Sequence, residues 1–543
     1  MNVHSLVRYS VIVLVAGLLF LPFLGHVHLF DWDEINFAEC AREMIVSRDY
    51  LLVQIDFQPF WEKPPLFIWM QALSMKVLGV NEYAARFPNA IMGIVTLATL
   101  FYVGKKVVSE RMATWWVILY AASWLPHFYF KSGIIDPTFN YFIFLAFFQV
   151  YMLRQAADPV RHALWAGLFL GLAVLTKGPV AALIALISFV AYIVINKGLW
   201  GYKLWHFLII ALTALLPFTL WFGAAILKHG WEYGSWFMNE FITYQVRLFR
   251  TEDADHGGPF FYHFIVLLIG CFPASVFLFQ FFGRRTAEPE PSRSFTKWMW
   301  ILFWVTLILF SIVNTKIVHY SSLCYFPLSY LAALKLDEIA AGEIKIKRWI
   351  KGVLLGIGVL WSVLLIALPL AGIYKDKLIP YIDDPFAVAN LNAPVQWSML
   401  ESLWGVLYLL GIIAAIILMR KSFTRGMLTL AIVQIIVIQV TVLHFTPKIE
   451  AYTQRAAIRY FKSFQDQDVY VQVIGYKSFA HLFYSRKQPS ENKNYHNERW
   501  LLSGPVDKPT YFICKITEAE KIRKLPQLQE LGQRNGFVFF KRR

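Results

Sequence analysis

Charged side chains are scarce in this chain, and those that interrupt its apolar runs fall at a few points. Asp33 and Glu34 open FDWDEINFAECAREM (Phe30–Met44), and Glu62 and Lys63 stand in PFWEKPPLFIW (Pro59–Trp69). Asp136 lies in KSGIIDPTFNY, Lys177 in LTKGPV, and His319 with Tyr320 at the end of NTKIVHY. Carboxylates of this kind can take a proton or offset positive charge developing on a reacting centre, and lysines can hold a phosphate. Asp33 and Glu34 alone would be explained as acidic residues favoured at a helix start. That explanation does not reach Asp136, beside an apolar run, or Lys177, between two, because charge at membrane depth is costly and usually functional. Taken together, these residues point to a polar site.

The elements that must position them are set by composition. Of 543 residues, 58% are hydrophobic and only 16% charged, which excludes an ordinary soluble domain. Apolar runs long enough to cross a bilayer recur from the first residues onward, and breaks at charges, Pro and Gly divide them into about thirteen predicted spans. They lie near 6–24, 84–107, 112–126, 137–153, 163–176, 179–195, 204–227, 260–282, 298–313, 318–334, 350–373, 403–419 and 427–445. The first has no small-residue cleavage site before the acidic stretch and reads as a retained anchor. The expected fold class is therefore an all-α polytopic membrane protein.

Loop charge gives an orientation. Alternate short loops carry Lys105, Lys106 and Arg111, then Arg154 and Arg161, then Lys197 and Lys203, then Arg420, Lys421 and Arg425; the others carry Asp33, Glu34, Glu62, Asp136, Asp383 and Asp384. Cationic loops stay in the cytoplasm, so the N-terminus is expected inside and the carboxylates outside. The formal net charge of +16 sits mainly in these loops, without an aromatic-interleaved basic face, which suits lipid headgroups and argues against nucleic acid. Cys40, Cys271, Cys324 and Cys514 share no metal-type spacing and read as small apolar residues.

The first outer loop, residues 25–83, is expected to form two amphipathic helices near the membrane surface. One follows the spacing of Phe37, Cys40/Ala41 and Met44/Ile45; the other starts at Pro64-Pro65 and ends at Gly79. Residues 1–445 then form the membrane domain. From about Thr446 the pattern changes to short alternating runs, VYVQVIGY, TYFICKI and GFVFF, which predict a small outer α/β domain over 446–543.

The order D-E-x-x-x-A-E-x-A-R-E-M (Asp33–Met44), E-K-P-P-L (Glu62–Leu66), I-D-P (Ile135–Pro137), T-K-G (Thr176–Gly178), H-G-x-P-F-x-Y (His256–Tyr262) and T-K-x-x-H-Y (Thr315–Tyr320) resembles the bacterial aminoarabinose transferases of lipid A. More loosely it is similar to the protein O-mannosyltransferases; both are C-type membrane glycosyltransferases (GT-C). The resemblance runs through the spans to about Leu334. It implies a glycosyltransferase on the outer face of the bacterial inner membrane that takes a sugar from a polyprenyl-phosphate donor and gives it to lipid A or another envelope acceptor.

Within that resemblance Asp33 is the main catalytic carboxylate, with Glu34 beside it. Lys63 and Lys177 face the donor phosphate, Asp136 contributes to substrate binding, and His319 and Tyr320 sit on a loop that closes over the donor. Glu62 and His256 match a pair that holds a divalent metal ion, for which zinc suits a carboxylate and an imidazole. If the acceptor is a phosphate, its second pKa of about 6 leaves it largely ionised and needing little base catalysis, and Asp33 would position it instead. Two positions depart from the pattern: Asn36-Phe37 stands where the lipid A enzymes carry Arg-Tyr, and Ile317-Val318 where they carry Leu-Pro. The departures leave open a protein O-glycosyltransferase of the same architecture. A transporter or lipid flippase, the reading from another class, would show paired broken halves, which the sequence lacks.

Overall fold

The computed structural model describes residues 3–199, 201–248, 257–281 and 292–543. Every predicted apolar run among them is helical. Among the described residues, seven helices are long and apolar enough to cross a membrane by length and composition: Glu82–Val107, Pro159–Lys177, Leu204–His229, Ser292–Ile312, Arg348–Ile373, Met399–Lys421 and Phe423–Thr453. The run expected near 260–282 is a pair, Tyr262–Gly270 and Ala274–Phe281, bent by 110° around Cys271–Pro273. Others are shorter, such as Asp136–Met152 and Val180–Asn196, and the run near 112–126 divides into Glu110–Ala121 and Trp124–Tyr129. Length and composition alone therefore count fewer full spans than the sequence expectation, because several interior helices stop short of a full crossing.

Helices facing outward keep exposed leucines, among them Leu208, Leu212, Leu215 and Leu220 on Leu204–His229, the surface that lipid tails cover. Helices inside pack through small residues. Gly167 and Gly171 on Pro159–Lys177 leave no room for a Cβ, which would meet the Ile210 and Ala214 carbonyl oxygens at 2.5 Å. This small-xxx-small pair lets two backbones approach without side chains between them.

Residues 25–83 form both expected helices, Asp33–Ser47 and Leu66–Leu78, the second ending at Gly79 with φ +80°. A two-residue hairpin, β1 (Gln54–Ile55) and β2 (Gln58–Pro59), lies between them. The Asp33–Ser47 helix does not lie open on a surface. Glu34 through Met44 are all buried, polar residues included, because the C-terminal region covers it.

That region begins where the Phe423–Thr453 helix leaves the bundle. It carries β3 (Tyr470–Ile474), β4 (Thr510–Lys515), β5 (Leu528–Arg534) and β6 (Phe537–Arg542) in the order β3-β4-β6-β5, with β3 and β4 parallel and the remaining pairs antiparallel. Ile458, Phe461, Val471 and Phe483 from this side form one apolar core with Ile35, Ala38 and Ala41 of the Asp33–Ser47 helix.

Candidate functional site

Four predicted residues from four separate stretches converge. Asp33 and Asp136 are each the first residue of a helix, where the backbone N–H groups and the helix dipole favour a carboxylate. Lys177 is the last residue of its helix, where the dipole favours a cation. His319 lies in the 3-10 turn Val318–Cys324. The Lys177 ammonium donates to Asp136 Oδ1 at 2.5 Å, and Ser322 Oγ donates to the same oxygen at 3.4 Å. His319 Nε2 lies 3.4 Å from Asp33 Oδ2 and 3.8 Å from Asp136 Oδ2, so the imidazole bridges the two carboxylates. Among the described residues, Asp136 Oδ2 has no hydrogen-bond partner. The Asp33 side chain is 28% exposed, against 2% for Asp136, so Asp33 is the open carboxylate of the two and Asp136 the buried one.

Lys177 also sits 5.3 Å over the Tyr320 ring and 5.5 Å over the Phe139 ring. Its helix turns at Gly178, whose φ of +93° and whose closeness to Gln245 Oε1, 2.7 Å from where a Cβ would be, both exclude a side chain. Gln245 Nε2 in turn donates to the Trp61 and Glu62 carbonyls at 3.2 and 3.0 Å. That link fixes the segment carrying Lys63 beside the Lys177 turn, near enough for the Lys63 charge to act on Asp136 and His319.

Glu34, predicted beside Asp33 as catalytic, has both oxygens occupied. Arg86 donates to them from Nε at 2.9 Å and Nη2 at 2.7 Å, the Phe30 N–H donates at 2.9 Å, and the Gly133 N–H at 2.5 Å. Burial pushes the Glu34 carboxyl up, but the guanidinium and the two N–H groups outweigh it and hold it below the usual carboxylate range. Arg86 also donates to the Leu24, Val27 and His28 carbonyls. Asn89, one turn further along the same helix, donates to the Ser132 and Ile134 carbonyls at 2.7 and 2.6 Å. Arg86 and Asn89 thus brace the loops that deliver Asp33 and Asp136. Sequence reasoning missed both, although an arginine inside an apolar run is itself a signal. Lys316, of the T-K-x-x-H-Y motif, caps a helix end: its ammonium donates to the Phe310, Ser311 and Val313 carbonyls.

The predicted metal pair is only half described. His256 lies outside the described residues, and among the described residues no three His, Cys, Asp or Glu side chains group as a metal site.

An apolar cavity of about 670 Å³ opens beside the Lys177 turn, lined by Phe147, Leu170, Val174, Pro179, Phe218 and Gln245 among others. Val174 and Pro179 bracket Lys177, so the cationic end of the site and the mouth of an apolar space adjoin.

The family described as dolichyl-phosphate-mannose-protein mannosyltransferase matches residues 62–221. The chain is 26% identical over 353 residues to an undecaprenyl phosphate-alpha-4-amino-4-deoxy-L-arabinose arabinosyl transferase of Pectobacterium carotovorum, covering 63% of this chain and 62% of that one. It is 27% identical over 338 residues to the protein of that description from Shewanella sediminis, covering 61% and 60%. The chain thus spans about three fifths of the length of these curated relatives. The crystal structure of ArnT from Cupriavidus metallidurans bound to undecaprenyl phosphate superposes with a TM-score of 0.75 at 17% identity, over 100% of this chain and 98% of that one. The chain has the C-type membrane glycosyltransferase fold, with its small C-terminal sheet domain, and is a relative of the aminoarabinosyl transferases.

Proposed function

We propose that the protein moves a sugar from a polyprenyl-phosphate donor to an envelope acceptor, lipid A first among them, on the outer face of the bacterial inner membrane. One observation carries the reading: Asp33, His319, Asp136 and Lys177 meet at helix ends around one open carboxylate, beside an apolar cavity. Charge gathered at one level suits chemistry at a membrane surface better than a transport path through the bundle.

In this reading the first isoprene units of the donor enter the cavity next to Val174 and Pro179, and its phosphate reaches Lys177 and Lys63. As the glycosyl–phosphate bond breaks, negative charge grows on the leaving phosphate and positive charge on the ring; the lysines stabilise the first and Asp33 the second. The Asp33 carboxylate also aligns the acceptor, or takes the proton of a hydroxyl acceptor, with His319 holding it toward the reacting carbon. Asp136 keeps the Lys177 ammonium in place, and the Tyr320 ring faces that ammonium. Basic short loops support a cytoplasmic N-terminus and an outward-facing site and C-terminal domain. A polypeptide acceptor is the second reading, favoured by the description of the family that matches residues 62–221.

The test is mass spectrometry of lipid A, envelope glycans and outer-face proteins from cells with and without the gene, with an Asp33→Asn control. A sugar mass lost from lipid A in both the deletion and the variant is the expected result. Loss from a glycan or protein changes the acceptor, and no change in any glycoconjugate removes the transferase reading.

A further inference from the structure

We infer that the C-terminal domain is a working wall of the site: Tyr484 and Gln454 are positioning residues that hold the segment from His28 to Trp32 and thereby set where Asp33 stands. The inference rests on the transferase reading for its consequence, though not for its geometry.

Residues 28–32 run without helix or strand into the first turn of the Asp33–Ser47 helix. On one side they are held by the membrane domain, through Arg86 to the His28 carbonyl and Glu34 to the Phe30 N–H. On the other side the anchors come from the end of the Phe423–Thr453 helix and the C-terminal domain that follows it. The Leu29 N–H donates to the Tyr484 hydroxyl at 2.7 Å, both residues being buried. Gln454 donates from Nε2 to the Leu29 carbonyl at 2.7 Å and accepts from the Asp31 N–H at 3.3 Å. His28 Nδ1 lies 2.9 Å from Glu450 Oε1. The Trp32 ring, immediately before Asp33, has the Phe479 ring 5.5 Å away and the Lys477 ammonium 4.5 Å over its face.

The far end of the same helix is gripped from the same side. Glu43 Oε2 accepts from the Phe57 N–H at 2.7 Å, tying the β1–β2 hairpin to the helix, while Lys487 pairs with Asp56 at 2.6 Å and the Tyr495 hydroxyl donates to the Asp56 carbonyl at 3.2 Å. A domain that only lay over the membrane domain would need none of these bonds to the stretch that precedes the open carboxylate. A carboxylate at a helix start moves with the backbone before it, so loosening residues 28–32 displaces Asp33 from His319. Such a displacement lowers turnover more than donor binding, which rests on Lys63 and Lys177.

The experiment uses the full-length protein in detergent with Tyr484→Phe and Gln454→Leu, singly and together. Gln454→Leu leaves the buried Tyr484 untouched, so a Tyr484 variant that fails to fold does not end the test. Gln454→Glu, which keeps the acceptor toward Asp31, serves as the conservative rescue. Backbone amide exchange of residues 28–32 is followed beside kcat and donor KM. The expected result is faster exchange at 28–32 with Glu82–Val107 unchanged, kcat lower by about 10-fold or more, donor KM within about 2-fold, and partial recovery in Gln454→Glu. Faster exchange with unchanged kcat would overturn the inference, as would unchanged exchange, or a rise in donor KM at constant kcat. Exchange is read without substrate. A wild-type protein that transfers no sugar would therefore sink the transferase reading while the exchange result still decides whether the clamp exists.

Discussion

The Lys177 ammonium stands 2.5 Å from Asp136 Oδ1, and Asp136 is almost wholly buried. The pair joins the end of one helix to the start of another, each charge on the terminus whose dipole favours it.

Removing either partner leaves the other charge with less company in a dry place, at a cost of about 3 kcal/mol. Asp136→Asn should therefore lower the apparent melting temperature of the purified protein, and Lys177→Ala should do the same while also raising donor KM. In the double variant the losses should fall short of the sum of the singles. Additive losses would show that the two side chains do not act as a pair.

Asp33 has a different standing, since its side chain is partly open and its Oδ2 lies 3.4 Å from His319 Nε2. Asp33→Asn should leave expression and melting temperature close to wild type and cut transfer by about 100-fold or more. Turnover within a few-fold of wild type in that variant would remove Asp33 from the mechanism.

Glu34 and Arg86 should behave in the opposite way. Glu34→Gln gives up the ionic half of a buried pair and weakens the hold on the Phe30 and Gly133 N–H groups. Melting temperature and transfer should fall together, and Arg86→Lys, with one ammonium in place of a fork reaching four acceptors, should be no better tolerated. A Glu34→Gln protein as stable as wild type but inactive would place Glu34 in the chemistry instead.

Glu43 predicts a pH dependence. Burial, and then the neighbouring Glu39, push its carboxyl well above the usual carboxylate range, and its Oε1 has no hydrogen-bond partner. The folded state therefore binds a proton that the unfolded chain releases at ordinary carboxylate pH. This group costs nothing below the unfolded value, and stability falls as pH rises from there through the folded one. Glu43→Gln should flatten that decline, so that melting curves of wild type and variant agree near pH 4 to 5 and separate in favour of the variant by about pH 8. A variant less stable at every pH would contradict a neutral Glu43.

Much of this site was legible in the sequence because buried charge in an apolar chain has few explanations. Asp33, Asp136, Lys177 and His319 each stand out against their surroundings, and each lies in the cluster. Arg86 and Asn89 were legible in principle, as polar residues inside a predicted span, but apart from the Glu34 carboxylate their acceptors are backbone carbonyls, which no side-chain pattern announces. The burial of the Asp33–Ser47 helix was not legible either. Its 3.6-residue spacing marks an apolar face, and nothing local says that a sheet domain more than 400 residues later covers the polar one. Asn36, which departs from the family pattern, has a local use that only the structure shows: its amide, oriented to satisfy both bonds, donates to the Trp32 carbonyl at 3.0 Å and accepts from Trp32 Nε1 at 3.1 Å.

The hydrogen bond from Leu29 to Tyr484 joins residues 455 apart in the chain. A ribosome that has made Asp33, Asp136, Lys177 and His319 has supplied the whole charged cluster while the residues that hold the segment before Asp33 are still unwritten. Contacts of such long sequence separation form late, so residues 28–32 stay without Tyr484 and Gln454 through most of the chain's synthesis. On the positioning role inferred above, a stop codon between those for His319 and Gln454 should yield the clustered charges without the residues that hold the segment before Asp33.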